Sequence, residues 1–173
     1  DTITTRHIQG TAFDNPNLSV LVLSKFKNQP PISEANFNSY IDRIKSHSLK
    51  NKNLVNVTSL VDRLKDMDVP NTFNHGDFSV DNMIQTKSEL ILIDPIFSPN
   101  LFQSYYLDIA KHLFTILYYN LDYDLYDKCL KAYIELGIKE SEIDILICSE
   151  SIRVSTYKNS MTSISNNLIE AIA

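Results

Sequence analysis

Glycine is scarce in this chain. Of 173 residues only Gly10, Gly76 and Gly137 are glycine, and no two lie close together. No Gly-x-Gly turn able to cover nucleotide phosphates is therefore among them. No apolar run approaches the length that crosses a bilayer, and no signal peptide is visible. Basic residues are outnumbered, 16 Lys and Arg against 21 Asp and Glu, for a formal charge of -5 at pH 7. That balance argues against nucleic acid as a partner, because a phosphate-binding surface normally clusters Lys and Arg. Lys45, Lys50, Lys52 and Lys65 read instead as solvated helix faces. The two cysteines, Cys129 and Cys148, lack metal-ligand spacing and fall in helical patterns, so they read as reduced core thiols. Together these features predict a cytoplasmic protein without a membrane span. Zinc spacing and a nucleophilic Ser or Cys motif are also missing, and His7 and His47 have no partners in sequence.

What is present is concentrated in one stretch. His75-Gly76-Asp77-Phe78-Ser79-Val80-Asp81-Asn82 is followed by Ile93-Asp94-Pro95. Chemically this is a carboxylate, an amide oxygen five positions on, and a second carboxylate beyond a short hairpin. Such a set can place magnesium and a hydroxyl nucleophile around a transferring phosphoryl group, where positioning and charge neutralisation supply most of the catalysis. Met83-Ile84-Gln85 and Leu90-Ile91-Leu92-Ile93 are β-prone runs, and Thr86-Lys87-Ser88-Glu89 between them reads as a turn. Pairing the two runs returns Asp94 towards Asn82. Magnesium accepts one or two protein oxygens and takes the rest from water and phosphate, which leaves Asp77 free to orient and accept the proton of a hydroxyl. The plainer alternative is that Asp77 and Asp94 cap turns and His75 is a satisfied loop histidine.

The rest of the chain reads as mainly helical. Pro30-Pro31 precedes a helix with Phe37, Tyr40, Ile41 and Ile44 on one face. A second is expected from about Asn53 to Met67 on the spacing of Val57, Leu60, Val61 and Leu64, with Pro70 ending it. Leu107, Ala110, Leu113, Phe114 and Leu117 mark a long buried helix that also contains His112, read as structural. Another runs from Leu121 to Leu136, with Gly137 as a left-handed cap. Ser141-Glu142-Ile143-Asp144 approximates a capping box for the next, and Ile164, Leu168 and Ile169 keep helical spacing in the tail. Tyr105, Tyr106, Tyr118, Tyr119, Tyr123 and Tyr126, with Asp122, Asp124 and Asp127, are either an aromatic and acidic substrate pocket or amphipathic packing residues with surface hydroxyls. One domain with a real core suits this length.

The stretch His75 to Asn82 with Ile93-Asp94 resembles the catalytic and metal loops of the aminoglycoside phosphotransferase and choline kinase superfamily, relatives of the protein kinases. The resemblance implies that Asp77 is the catalytic base, that Asn82 and Asp94 hold magnesium and with it the nucleotide, and that His75 braces the loop. Tyr106-Leu107-Asp108-Ile109-Ala110-Lys111 resembles the family's Asp-Leu-Ala-Lys helix start, which gives Asp108 a supporting role. Ile93-Asp94-Pro95, Asp108-Ile109-Ala110-Lys111-His112-Leu113 and Asp122-Tyr123-Asp124 are similar to a bacterial branch associated with capsule and other surface saccharides. Two departures bear on the substrate. Ile96-Phe97 stands where that branch often has Arg and Gly, and Ser79 stands where protein kinases place a phosphate-contacting Lys, which argues against protein-kinase activity.

The resemblance implies an α+β, mainly helical chain forming the C-terminal lobe of a protein-kinase-like fold. Residues 1–30 would be a post-hinge segment, in which Ile8-Gln9-Gly10-Thr11-Ala12-Phe13 resembles the stretch after the family's hinge. Residues 31–173 would be the helical lobe, with catalytic loop 75–82 and metal loop 93–97. The expected activity is transfer of the γ-phosphate of ATP, or another nucleoside triphosphate, to a hydroxyl of a sugar, sugar alcohol or amino alcohol. Mg2+ is the expected metal. The glycine-rich turn and paired Lys and Glu would come from an N-terminal nucleotide lobe outside these residues, its partner in the full-length protein, so the stretch alone is expected to be inactive. The alternative is a non-catalytic kinase-like lobe that binds a ligand or a protein.

Overall fold

The computed structural model describes residues 10–172. Within them a two-stranded antiparallel sheet is set on a mainly helical body, the α+β, mainly helical class that the sequence pattern predicts. His7, Ile8 and Gln9 lie outside the described residues.

Helix α1 (Pro16–Lys27) lies within the 1–30 segment, where the sequence pattern predicts no element. Its start is locally encoded. The Asn15 side chain accepts from Asn17 N at 3.1 Å, and Pro16 sits in the first turn, where its missing N–H costs nothing. Helix α2 (Phe37–Lys50) begins at Asn36, whose Oδ1 accepts from Ser39 N at 3.1 Å. Helix α3 (Val57–Lys65) is shorter at both ends than the expected 53–67. Asn56 is left-handed (φ 55), and Asn51 collects the backbone N–H groups of Asn53 and Leu54, so residues 51–56 turn rather than coil. Local amide side chains compete with the helix there.

Strands β1 (Met83–Gln85) and β2 (Leu90–Leu92) pair in the register Met83 to Leu92, Ile84 to Ile91 and Gln85 to Leu90. Thr86 N donates to Glu89 O at 2.9 Å and closes the turn. Thr11 extends the sheet by one bridge to Gln85, and Gly10 approaches the hairpin so closely that a Cβ would lie 2.6 Å from Gln85 O.

Helix α4 (Tyr105–Thr115) is capped by the Ser104 hydroxyl, which accepts from Tyr106 N at 3.2 Å. It passes into a π-helical turn (Ile116–Asn120) that ends at left-handed Leu121. Helix α5 (Tyr123–Ile134) therefore starts two residues later than expected, at a cap where Asp122 Oδ1 accepts from Leu125 N at 2.9 Å. Gly137 does adopt positive φ, 97°, beyond its end.

Helix α6 (Glu140–Ser155) corrects the expected capping box. Ser141 is inside the first turn, and the Glu142 carboxylate reaches back to the backbone N–H of Lys139 at 3.1 Å, so the cap sits two residues earlier. This helix is the centre of the fold, packed against α2, α3, α4 and α7 (Thr162–Ile172). Ile143, Leu146, Cys148 and Ile152 are buried on it together with Ser149, Ser151 and Ser155. Each serine hydroxyl returns its proton to the carbonyl three residues back, which lets a small polar side chain sit in the core without an orphaned donor. Cys129 and Cys148 are both buried free thiols, and burial pushes each up to about 12.

No helix among the described residues is long and apolar enough to cross a membrane.

Candidate functional site

The segment 73–82 is fixed from beneath by Phe78. Its ring is fully buried and packs edge-on against Phe26 (6.3 Å), His75 (6.3 Å) and His112 (5.3 Å). With Phe78 held in the core, the flanking backbone makes two tight turns. Ser79 N donates to Asp77 O at 2.9 Å, and Asn82 N donates to Ser79 O at 3.1 Å. Gly76 has φ 81, and a Cβ there would lie 2.3 Å from Ile96 O. Only glycine fits where the two loops touch. That contact is cemented by Ile96 N donating to His75 O at 2.9 Å.

Asp108, buried near the start of α4, accepts from His75 N at 2.6 Å through Oδ2 and from Gly76 N at 3.0 Å through Oδ1. Both carboxylate oxygens thus satisfy loop amides that would otherwise be orphaned. Burial pushes the Asp108 carboxyl up to about 7, more than the two N–H donors hold it down. The His75 ring is buried, and neither nitrogen has a hydrogen-bond partner. Burial lowers its pKa, although backbone groups of Asp77 and Ile93 near the ring oppose that shift. His75 holds its place through its backbone and ring packing.

Asp77 is half-buried and engaged at both oxygens. Asn82 Nδ2 donates to Asp77 Oδ2 at 2.9 Å and to Asp77 O at 2.9 Å, while Lys111 Nζ lies 3.1 Å from Oδ1. Because the Asn82 amide nitrogen must face two acceptors, its Oδ1 is turned away from Asp77 and left available. The hairpin then fixes the far loop. Ile93 N donates to Asn82 O at 3.0 Å, one step past the Met83 to Leu92 pair, which puts Asp94 one residue beyond Asn82's partner. Asp94 is exposed and left-handed, with φ 53.

Beside Asp77 lies a cavity of about 330 Å³, lined also by Asp108, Lys111, Glu150, Arg153 and Arg43. Asn82, Asp94 and His75 do not line it. Lys111 falls in a motif that implies no role for it, and Glu150, Arg153 and Arg43 stand in no motif. Lys111 bridges Asp77 to Glu150 Oε1 at 3.2 Å, and Arg153 grips Glu150 with Nε at 2.7 Å from Oε2 and Nη2 on Oε1. Burial alone would raise the Glu150 pKa, but Arg153 and then Lys111 outweigh it and hold the carboxyl below its usual range. Burial likewise works against the Arg153 cation, and Glu150 overcomes it. The sequence signal for this relay is the Asp108-Ile109-Ala110-Lys111 motif, which contains Lys111 alone of its four members. The Arg153 and Glu150 pair at i, i+3 is ordinary on any helix.

The tyrosine and aspartate group does not gather at this cavity. Tyr105 and Tyr106 pack edge-on in the core with centroids 4.8 Å apart, Tyr119 and Tyr123 are exposed, and Asp122 caps α5. His112 is fully buried, its Nδ1 2.6 Å from the Tyr133 hydroxyl, which in turn donates to Ser19 Oγ at 2.8 Å.

Among the described residues no group of three or more His, Cys, Asp or Glu could hold a metal ion. The oxygens on offer are Asn82 Oδ1 and the Asp94 carboxylate, one amide and one acid. That set is too small for a metal caged by protein alone. It fits a hard cation that keeps water and phosphate ligands.

Comparison of the chain with protein-family models, with curated proteins and with solved structures gave no match.

Proposed function

We propose that this chain carries the acceptor-side half of a small-molecule phosphotransferase, in which Asp77 orients the attacking hydroxyl. The supporting observation is the way Asp77 is held: Lys111 on one oxygen and Asn82 on the other, with the Asn82 amide oxygen turned out for a cation. A carboxylate offers about four lone-pair sites. Two are taken by these donors, and the remainder are open to a hydroxyl entering the cavity.

In this reading Asn82 and Asp94 would hold Mg2+ from the two ends of the hairpin, and the metal would supply charge neutralisation at the nucleotide phosphates. Asp77 accepts a hydrogen bond from the acceptor hydroxyl and takes its proton as attack proceeds. Asp108 keeps the 75–77 backbone in place through its two N–H bonds, and Phe78 ties the same loop to the core. The acceptor is a sugar, sugar alcohol or amino alcohol, and a nucleotide lobe contributed by additional sequence supplies the glycine-rich turn and the Lys and Glu pair.

The test is magnesium-ATP turnover by the full-length protein, followed as ADP release, against sugars, sugar alcohols, choline and aminoglycosides. Acceptor-dependent turnover is expected, and Asp77→Asn should abolish it while leaving the far-UV circular dichroism and melting temperature close to those of the parent. Turnover that survives Asp77→Asn would remove the base role. A folded full-length protein that binds no nucleotide would favour a non-catalytic ligand- or protein-binding lobe.

A further inference from the structure

We infer that the cavity beside Asp77 takes a ligand bearing an oxyanion, a carboxylate or a phosphate, on a small polyol, and that Arg43 is the residue that receives this anion. The inference rests on the phosphotransfer reading only in calling that ligand the acceptor.

Three cations line the cavity: Arg43 from α2, Lys111 from α4 and Arg153 from α6. Two of them are already answered, because Lys111 meets Asp77 and Glu150, and Arg153 meets Glu150. Arg43 is half-buried and, among the described residues, forms neither an ion pair nor a side-chain hydrogen bond. Its guanidinium donors are unclaimed by other described residues, and Arg43 is part of the cavity lining. That planar fork matches two oxygens of one carboxylate or phosphate.

The charge count points the same way. Lys111, Arg153 and Arg43 face Asp77 and Glu150, which leaves one positive charge without a counterpart. Asp108, the third acid on the lining, is bonded at both oxygens to loop amides and burial pushes its carboxyl up to about 7, so it offsets that charge only in part. A cavity of about 330 Å³ is at the lower end of the size of small-ligand sites, suited to one sugar-sized molecule. Tyr157 and Ser98 line the same space and can meet polyol hydroxyls. A quaternary amine such as choline would instead leave Arg43 unanswered and add a further positive charge beside it.

The experiment is isothermal titration of the whole chain, without nucleotide or metal, against glucose 6-phosphate, glucuronate, glucose and choline, with ATP in a separate titration. At least one acidic sugar should bind at least about tenfold more tightly than glucose or choline, the factor expected from roughly 1.4 kcal/mol of charge-assisted bonding. Glucose 6-phosphate and glucuronate separate phosphate from carboxylate as the preferred anion. Arg43→Gln should remove the preference for the acidic sugar, and Arg43→Lys, which keeps the charge but not the fork, should restore part of it. Melting curves of both variants check that α2 remains folded. Failure of both acidic sugars to bind, or binding that Arg43→Gln leaves unchanged, overturns the inference. So does loss of ATP binding alone in Arg43→Gln, which would assign the residue to the nucleotide. The two readings fail separately: turnover of neutral sugars that is indifferent to Arg43→Gln leaves phosphotransfer standing without the anion subsite. Arg43-dependent binding of an acidic sugar by a full-length protein that never releases ADP leaves the subsite standing without phosphotransfer.

Discussion

Asn82 and Asp77 are tied together twice by a single nitrogen. Asn82 Nδ2 lies 2.9 Å from the Asp77 carbonyl oxygen and 2.9 Å from Asp77 Oδ2, so one amide group sets both the backbone and the side chain of the residue five positions earlier. The expected consequence is an unusual ranking of substitutions. Asn82→Ala loses two hydrogen bonds and should destabilise by about 1–3 kcal/mol. Asn82→Asp turns a carboxylate towards two acceptors and should cost more at pH 7. Urea midpoints of the two variants should converge as the pH falls into the carboxylate range, because the introduced carboxyl, once protonated, can donate again. A more stable Asn82→Asp at pH 7 would contradict the geometry.

Asp108 makes a different kind of prediction, because burial opposes its presence even as its oxygens serve the loop. Removing it relieves a desolvated carboxyl while orphaning two N–H groups, so Asp108→Ala should change global stability less than the loss of two hydrogen bonds alone would suggest. Its effect should be local. Hydrogen exchange at the His75 and Gly76 amides, measured by NMR, should lose protection in Asp108→Ala. In Asp108→Asn one of the two should stay protected, since a side-chain amide keeps one acceptor. Unchanged protection at both amides in Asp108→Ala would show that the loop is held by other means.

Two glycines with positive φ allow strain to be separated from collision. Gly137→Ala brings its Cβ no nearer than ordinary van der Waals contact, with Lys27 Nζ at 3.9 Å, and should cost only the conformational strain of about 1–3 kcal/mol. Gly76→Ala carries the same strain and also drives a Cβ to 2.3 Å from Ile96 O. Denaturant unfolding should rank Gly76→Ala as clearly the more damaging. It should also loosen the amide of Ile96, which bonds to His75 O.

His112 should make the fold acid-sensitive. Burial lowers its pKa from 6.5 to about 3, so between those values the unfolded chain binds the proton and the folded chain does not. Stability from this residue is complete above about pH 6.5 and is lost as the pH falls towards 3. Asp108 acts in the opposite sense, with a folded pKa of about 7 against 3.8, and its contribution is lost as the pH rises from 3.8 to 7. The two partly cancel in the parent protein. The His112 term is therefore read from a difference: the stability advantage of the parent over His112→Gln should shrink steadily from pH 6.5 to 4 in thermal melts. A constant difference would mean that the imidazole is not held neutral.

The hairpin and most helices were legible because their signals are local. Alternating β-prone runs around Thr86-Lys87-Ser88-Glu89, the 3–4 spacing of Phe37, Tyr40, Ile41 and Ile44, and Gly137 after an apolar helix are each decided within a few residues. Helix α1 is equally encoded, by Asn15, Pro16 and the buried Leu18 and Leu23, although its apolar spacing is not among the expected helices. The late start of α3 and the shifted cap of α6 turn on which side chain reaches which backbone N–H, a competition that spacing alone does not resolve.

The sequence by itself determined the oxygen-bearing residues of the loop and the order of the hairpin and of helices α2 to α7, because these rest on covalent spacing and backbone preference. Only the tertiary structure decided what surrounds Asp77. Lys111, Glu150, Arg153 and Arg43 come from three helices that meet because apolar faces elsewhere on them are buried, so nothing in their own spacing marks the cavity wall. Placing Asp94 on an exposed left-handed turn, and leaving Arg43 without a carboxylate, are likewise results of packing. Side chains far apart in sequence become neighbours only when the core that carries them has closed.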